Sequence, residues 1–114
     1  MTNRTTLPHE ELVAYQVARE LLRVVCEAQI ADPKLRDQTM RAAQSVCLNI
    51  AEATGRGSEA DQKRVYAIAR GEASEVAAAL DVAQVVGECT PEVARRGHAI
   101  ALRTYALLTG LIRA

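Results

Sequence analysis

The chain has 114 residues, room for one domain with one modest core. Hydrophobic residues make up 49% and aromatics only 3%, with no Trp or Phe, so a packed interior must be built from small side chains. Fourteen Lys and Arg balance fourteen Asp and Glu, and a net charge of zero disfavours a globally basic nucleic-acid binder. The sequence has no apolar run approaching the roughly eighteen residues of a membrane span. Its start, MTNRTTLPHEE, lacks the apolar stretch of a secretory signal, so a cytoplasmic location is expected. Cys26, Cys47 and Cys89 are too few and too scattered for a disulfide framework or a zinc site.

Ala, Leu, Glu, Arg and Gln favour helix, and no sustained two-residue alternation signals a strand. Breaks fall at Ala31-Asp32-Pro33, at Gly55-Arg56-Gly57-Ser58 and at Gly87-Glu88-Cys89-Thr90-Pro91. They predict four helices, about 8–31, 34–56, 59–88 and 91–113, in one domain over residues 1–114. The first carries Gln16, Arg19, Glu20, Arg23 and Glu27 on one narrow arc. Its apolar arc spans roughly 200°, wider than a bundle helix needs, which predicts cover on more than one side. The second helix buries Met40, Ala43, Val46, Cys47 and Ile50. Ser58 caps the third, whose apolar stripe of Val65, Ile68, Ala79, Val82 and Val86 is interrupted by Arg64, Glu72 and Glu75. Thr90 caps the fourth, with Pro91 at its first position. There Val93, Ala94, Gly97, Ala101, Leu108, Leu111 and Ile112 face inward, and Arg95, Arg103 and Arg113 face out. Short connections make successive helices antiparallel, so the expected fold is all-α, an up-down-up-down antiparallel four-helix bundle. Abundant alanine predicts closely spaced axes.

Charge is segregated along the chain. Segments 8–32, 33–57, 58–90 and 91–114 carry −3, +2, −3 and +3, and Arg4 closes the balance. Two readings stand: complementary neighbouring helices, or a basic strip of Arg95, Arg96 and Arg103 that touches phosphate. In the second helix Arg41, Ser45, Asn49, Glu52 and Arg56 follow at three- and four-residue steps and form one polar face. Asn49 is a poor helix-interior residue, so something must hold it. Either Asn49 and Glu52 fix register against the third helix, with Glu75 or Arg64 as partners, or the face is a subunit or ligand surface. Leu48 within that polar arc is a candidate subunit contact.

These residues resemble a known family. The second helix is similar to the pattern L-R-R-A-x-x-S-I-P-x-N-I-A-E-G-x-G-R of the 23S rRNA-intervening-sequence proteins, matching at Arg41-Ala42, Ser45, Asn49-Ile50-Ala51-Glu52 and Gly55-Arg56. Ala69, Gly71 and Glu75 match an A-x-G-S-L-x-E pattern, and Tyr15-Gln16-Val17-Ala18 resembles W-Q-x-A. Cys47 stands where proline is usual, Ala53 where glycine follows N-I-A-E, and Glu72-Ala73 where Ser-Leu is usual. Without that proline the second helix is expected to run straighter. The resemblance implies a four-helix bundle that assembles into a ring, often a pentamer. It also implies similarity to the accessory protein of diversity-generating retroelements, a basic ring associated with reverse transcriptase and nucleic acid.

Catalytic signatures are missing. Neither His9 nor His98 sits in the Glu-x-x-His of a di-iron bundle, and Arg95 and Arg96 lie too close to His98 for the R-x4-6-H pattern of helical ribonucleases. Gly55-Arg56-Gly57 reads as a helix stop rather than a phosphate loop. Cys26 and Cys47 are expected to pack as small apolar groups. Tyr15, Tyr66 and Tyr105 are expected in the core or its seams and offer no stacking platform for bases. The expectation is a non-enzymatic homo-oligomeric scaffold or adaptor for a ribonucleoprotein, with no cofactor, metal, membrane or small-molecule substrate. The alternative is a direct RNA- or DNA-binding module using Arg41, Arg56, Arg95, Arg96 and Arg103.

Overall fold

A computed structural model describes residues 5–114. Its elements are a 3-10 turn at Pro8–Glu11 and four helices: α1 Val13–Ala28, α2 Pro33–Thr54, α3 Glu59–Val85 and α4 Pro91–Arg113. Among the described residues there is no strand, and the fold is an all-α four-helix bundle. Arg4 lies outside the described residues.

Local chemistry sets the helix starts. The Asp32 carboxylate accepts from the Leu35 amide at 2.8 Å, with Pro33 inside the first turn. Ser58 Oγ accepts from Asp61 N and Thr90 Oγ1 from Val93 N, both at 3.2 Å. Each cap occupies a donor that the first turn leaves unpaired. The helix ends depart from the sequence expectation. The first helix begins at Val13 rather than 8, because Leu12 is extended after the Pro8–Glu11 turn. It stops at Ala28 because Gln29 turns left-handed, at φ 50°. The amides of Ala31 and Asp32 are then held by the Glu88 carboxylate, at 2.6 and 3.1 Å. α3 ends at Val85, where Gly87 takes φ 81° and Glu88 N donates to Ala83 O, a left-handed closure that glycine makes without strain.

α1 packs against α2 and α4, and α3 packs against α2 and α4. Along α2 and α3, Asn49 meets Glu72 and Thr54 meets Tyr66, so positions rise on one helix as they fall on the other. Along α3 and α4, Lys63 meets the carbonyl of Ala114 and Arg70 meets Thr109. These neighbours therefore run antiparallel. Tyr66 lies opposite Thr54, the last residue of α2, so the first two turns of α3 overhang the end of α2.

The core is built from Leu21, Val24, Val46, Ile50, Val76, Leu80 and Leu108 over a bed of alanines. Thr39 and Thr104 are fully buried, and each donates its hydroxyl to the carbonyl four residues earlier, at 2.7 and 2.8 Å. The third-helix stripe differs from the sequence reading. Val65 and Ala79 are buried, but Ile68, Val82 and Val86 stand exposed. Tyr66, Ala69, Ala73, Val76, Leu80 and Ala83 supply the buried face instead. Small alanines, which the apolar pattern underweights, permit the closest contact with α2 and α4 and so claim the inner position. Met40 is half-buried, and Cys26 is exposed rather than packed.

Gly97 marks the tightest point. A Cβ there would overlap Leu80 Cδ1 of α3 and come within 3.7 Å of Val24 Cγ1 of α1. Gly71, in the middle of α3, has open space where a Cβ would stand. Gly97→Val is expected to cost about 1–3 kcal/mol through overpacking, whereas Gly71→Ala is expected to gain about 0.5–1 kcal/mol from backbone entropy. Urea unfolding followed by far-UV circular dichroism checks both signs.

Candidate functional site

The second-helix polar face divides into two parts. Asn49 Nδ2 donates to Glu72 Oε1 at 2.8 Å, and Ser45 also hydrogen-bonds the Glu72 carboxylate. Asn49 thus links α2 to α3, through Glu72 rather than the expected Glu75 or Arg64. The overhang of α3 explains Arg64: it lies beyond the end of α2 and pairs at 2.8 Å with Asp61 on its own helix. Glu75 lies one turn past Asn49 and stays exposed. The signal for Glu72 was present in the sequence as a departure from the family's Ser-Leu pair.

The second part clasps the loop. Arg56 pairs with Glu52 one turn back on α2 and with Asp61 at 3.2 Å in the first turn of α3. Gln62 donates to the Arg56 carbonyl at 3.2 Å. Gly55 caps α2 and donates its amide to Glu52 O at 3.1 Å. Glu52 and Arg56 are therefore occupied in joining α2 to α3.

Arg41 stands apart on the exposed side of α2, at an open groove of about 640 Å³ between α2 and α3. Three carboxylates, Asp37, Glu72 and Glu75, and two cations, Lys34 and Arg41, line it with Ser45. Burial raises the Glu72 pKa from its ordinary value, and neighbouring Glu75 adds to this, while Ser45 and Asn49 oppose it by donating hydrogen bonds. Among the described residues no group of three or more His, Cys, Asp and Glu could hold a metal ion.

The α4 arginines do not act as one strip. Arg96 pairs with Glu27 of α1 at 2.8 Å, and this contact raises its pKa. Arg95 and Arg103 are exposed, with no ion pair among the described residues. Arg95 lines a second groove, of about 440 Å³, with Asp81 and His98 between α3 and α4. α2 and α4 are not packed neighbours, so Arg41 and Arg56 do not join Arg95, Arg96 and Arg103 on one face of a single chain. Leu48 points away from the core and is 70% exposed. Tyr66 is buried, with its hydroxyl 3.0 Å from Thr54 Oγ1, while Tyr105 is exposed beneath the Arg70 guanidinium. Burial pushes the thiols of Cys47 and Cys89 up, away from the thiolate form.

The family model for the 23S rRNA-intervening sequence protein matches residues 10–110. The chain belongs to this family. A solved protein of unknown function from the S23 ribosomal protein family of Bacteroides thetaiotaomicron VPI-5482 is similar in structure, with a TM-score of 0.80. The likeness covers 90% of this chain and 100% of that one at 24% identity, and it shows the shared fold. Among curated proteins no match is found. Both the membership and the likeness agree with the resemblance read from Arg41 to Arg56.

The Glu72 carboxyl binds its proton more tightly folded than unfolded. Its contribution to stability is therefore greatest below the ordinary value of 4.5 and declines as pH rises through the raised folded pKa. Lys34, Arg41 and Asp37 of α2 and Glu75 of α3 line the same groove. Glu72→Gln keeps an acceptor for Asn49 and is expected to flatten this decline. Asn49→Leu removes a donor from a carboxylate and is expected to cost about 1–2 kcal/mol at neutral pH. A double-mutant cycle of these two substitutions, measured by urea unfolding from pH 4 to 8, checks both.

Proposed function

We propose that the protein is a non-enzymatic, cytoplasmic, self-associating bundle that serves as a scaffold or adaptor for a ribonucleoprotein. The observation that carries this reading is the set of large apolar side chains left uncovered on a small chain. Leu48 of α2 is 70% exposed, Val85 of α3 80% and Leu102 of α4 62%. Exposed apolar residues that cluster, as Val82, Val85 and Val86 do at the end of α3, favour burial by association. The open grooves beside these helices hold mixed charge and suit protein surfaces better than a small ligand. No helix of the described residues is long and apolar enough to cross a membrane. The family description, which names the intervening sequence of 23S rRNA, supports RNA-containing particles as the partner class. A ring, with a pentamer as its first expectation, follows from the family resemblance.

Direct nucleic-acid binding is the competing reading, and Arg41, Arg95 and Arg103 favour it by lacking ion-pair partners among the described residues. Light scattering at micromolar concentration is expected to give a mass that is a multiple of the 12.3 kDa chain. A strictly monomeric protein contradicts the scaffold. RNA retention by the isolated protein that falls steeply with salt, and is lost in Arg41→Glu with Arg95→Glu, would favour the binding module instead.

A further inference from the structure

The α2–α3 seam opens outward along most of its length. The groove of about 640 Å³ described above meets another of about 410 Å³, and Lys34 and Gln38 line both. The two run end to end as one trough. Its α2 wall is the stripe Lys34, Gln38, Arg41 and Ser45, and its α3 wall the stripe Glu72, Glu75, Val82 and Val86. Steps of three and four residues, or their sum, hold each stripe on one helix flank. The α3 wall from Glu72 to Val86 extends for about 21 Å at the helical rise.

The trough has an apolar end and a charged length. At the end nearest the α3–α4 connection Val82 and Val86 are 50% and 61% exposed, with half-buried Leu35 opposite. Farther along, the walls carry opposite charge: Lys34 and Arg41 on α2, Glu72 and Glu75 on α3. Asp37, the acid on the α2 wall, is paired with Arg36 at 3.7 Å. Among the described residues no ion pair crosses the trough, and Lys34, Arg41 and Glu75 have none elsewhere. Glu72 meets only the neutral donors Asn49 and Ser45. The two walls thus face each other without neutralising each other.

We propose that the α2–α3 trough receives an amphipathic helix of a different protein. That helix seats apolar side chains on Leu35, Val82 and Val86, turns a row of carboxylates toward Lys34 and Arg41, and turns a row of cations toward Glu72 and Glu75. The proposal rests on the adaptor half of the reading above and gives the adaptor its partner surface. A helix laid in a groove between two others is a common mode of recognition, and charge on its flanks sets partner and register. Turning the bound helix end for end moves each charged row to the wrong wall, so the trough also fixes its direction. A nucleic acid would satisfy Lys34 and Arg41 but press phosphates toward Glu72 and Glu75. The outer helices of a second copy match poorly. Among the described residues α1 exposes one large apolar side chain, Val13, and α4 carries one acid, Glu92.

The probe is a labelled synthetic helical peptide of about 18 residues, long enough to span the trough. Leucines occupy the end that lies on Leu35 and Val86, glutamates the flank over α2 and lysines the flank over α3. A second peptide of the same composition exchanges the two flanks. Fluorescence anisotropy with the full chain is expected to show saturable binding of the matched peptide and about tenfold weaker binding of the exchanged one. Arg41→Glu with Glu75→Lys alters two exposed, unpaired side chains and is expected to invert that preference, with helix content confirmed by far-UV circular dichroism. Val82→Asp is expected to weaken the matched peptide about tenfold. No binding of either peptide, equal binding of both, or a preference that the double variant leaves unchanged overturns the proposal and leaves the adaptor reading to other surfaces. A double variant whose mass by light scattering falls below that of the wild type assigns the trough to a second copy. One that loses RNA retained by the wild type assigns it to nucleic acid. Either result also overturns the proposal. Self-association is read from the wild-type mass alone, so the scaffold and the trough fail separately.

Discussion

The absence of a side chain at Gly97 lets three helices meet at one point. Leu80 of α3 fills the space where a Cβ would stand, and Val24 of α1 closes on the same spot. The pair is fully buried or nearly so, and the surrounding seam is floored by alanine. Close approach replaces the area that aromatic rings would supply in a larger core. It also constrains everything outside it, because each alanine that turns inward sends a bulkier neighbour outward. Ile68 and Val82 are exposed because Ala69 and Ala83 hold the inner positions beside them.

The α2–α3 seam obeys a second constraint. Asn49 is tolerated in mid-helix because it meets a carboxylate, and Glu72 is tolerated in a half-buried groove because it meets two donors. The pair is mutually dependent and fixes how far α3 slides past α2. That slide in turn places Arg56 against Asp61 and locks the connection. The polar face of α2 is therefore partly spent within the chain. Leu48 and Arg41 are exposed members of it that the α2–α3 contacts do not occupy.

The helix count, the capped starts at Ser58 and Thr90 and the inner face of α4 were legible because they depend on neighbours within a turn of sequence. Thr90-Pro91 and Ser58 declare a helix start wherever they occur. The end of α1 was not legible. It is held by Glu88, far along the chain, whose carboxylate takes the Ala31 and Asp32 amides. The partner of Asn49 was misjudged by one turn for a similar reason, since a motif states that a polar residue needs a partner but not where the opposite helix comes to rest. The stripe of α3 was misread because branched side chains were expected inside where alanines fit better.

Periodicity, caps and the Arg41–Arg56 motif by themselves determined an all-α four-helix bundle and its family, since both are written in short-range spacing. The tertiary structure alone decided which charges are satisfied. Arg96, Glu52 and Arg56 find ion-pair partners, while Arg95, Arg103 and Glu75 have none among the described residues. Pairing depends on the rotation and slide of each helix against its neighbours. Those are set by the packing of small residues around Gly97, a property of distances between helices rather than of order along one chain.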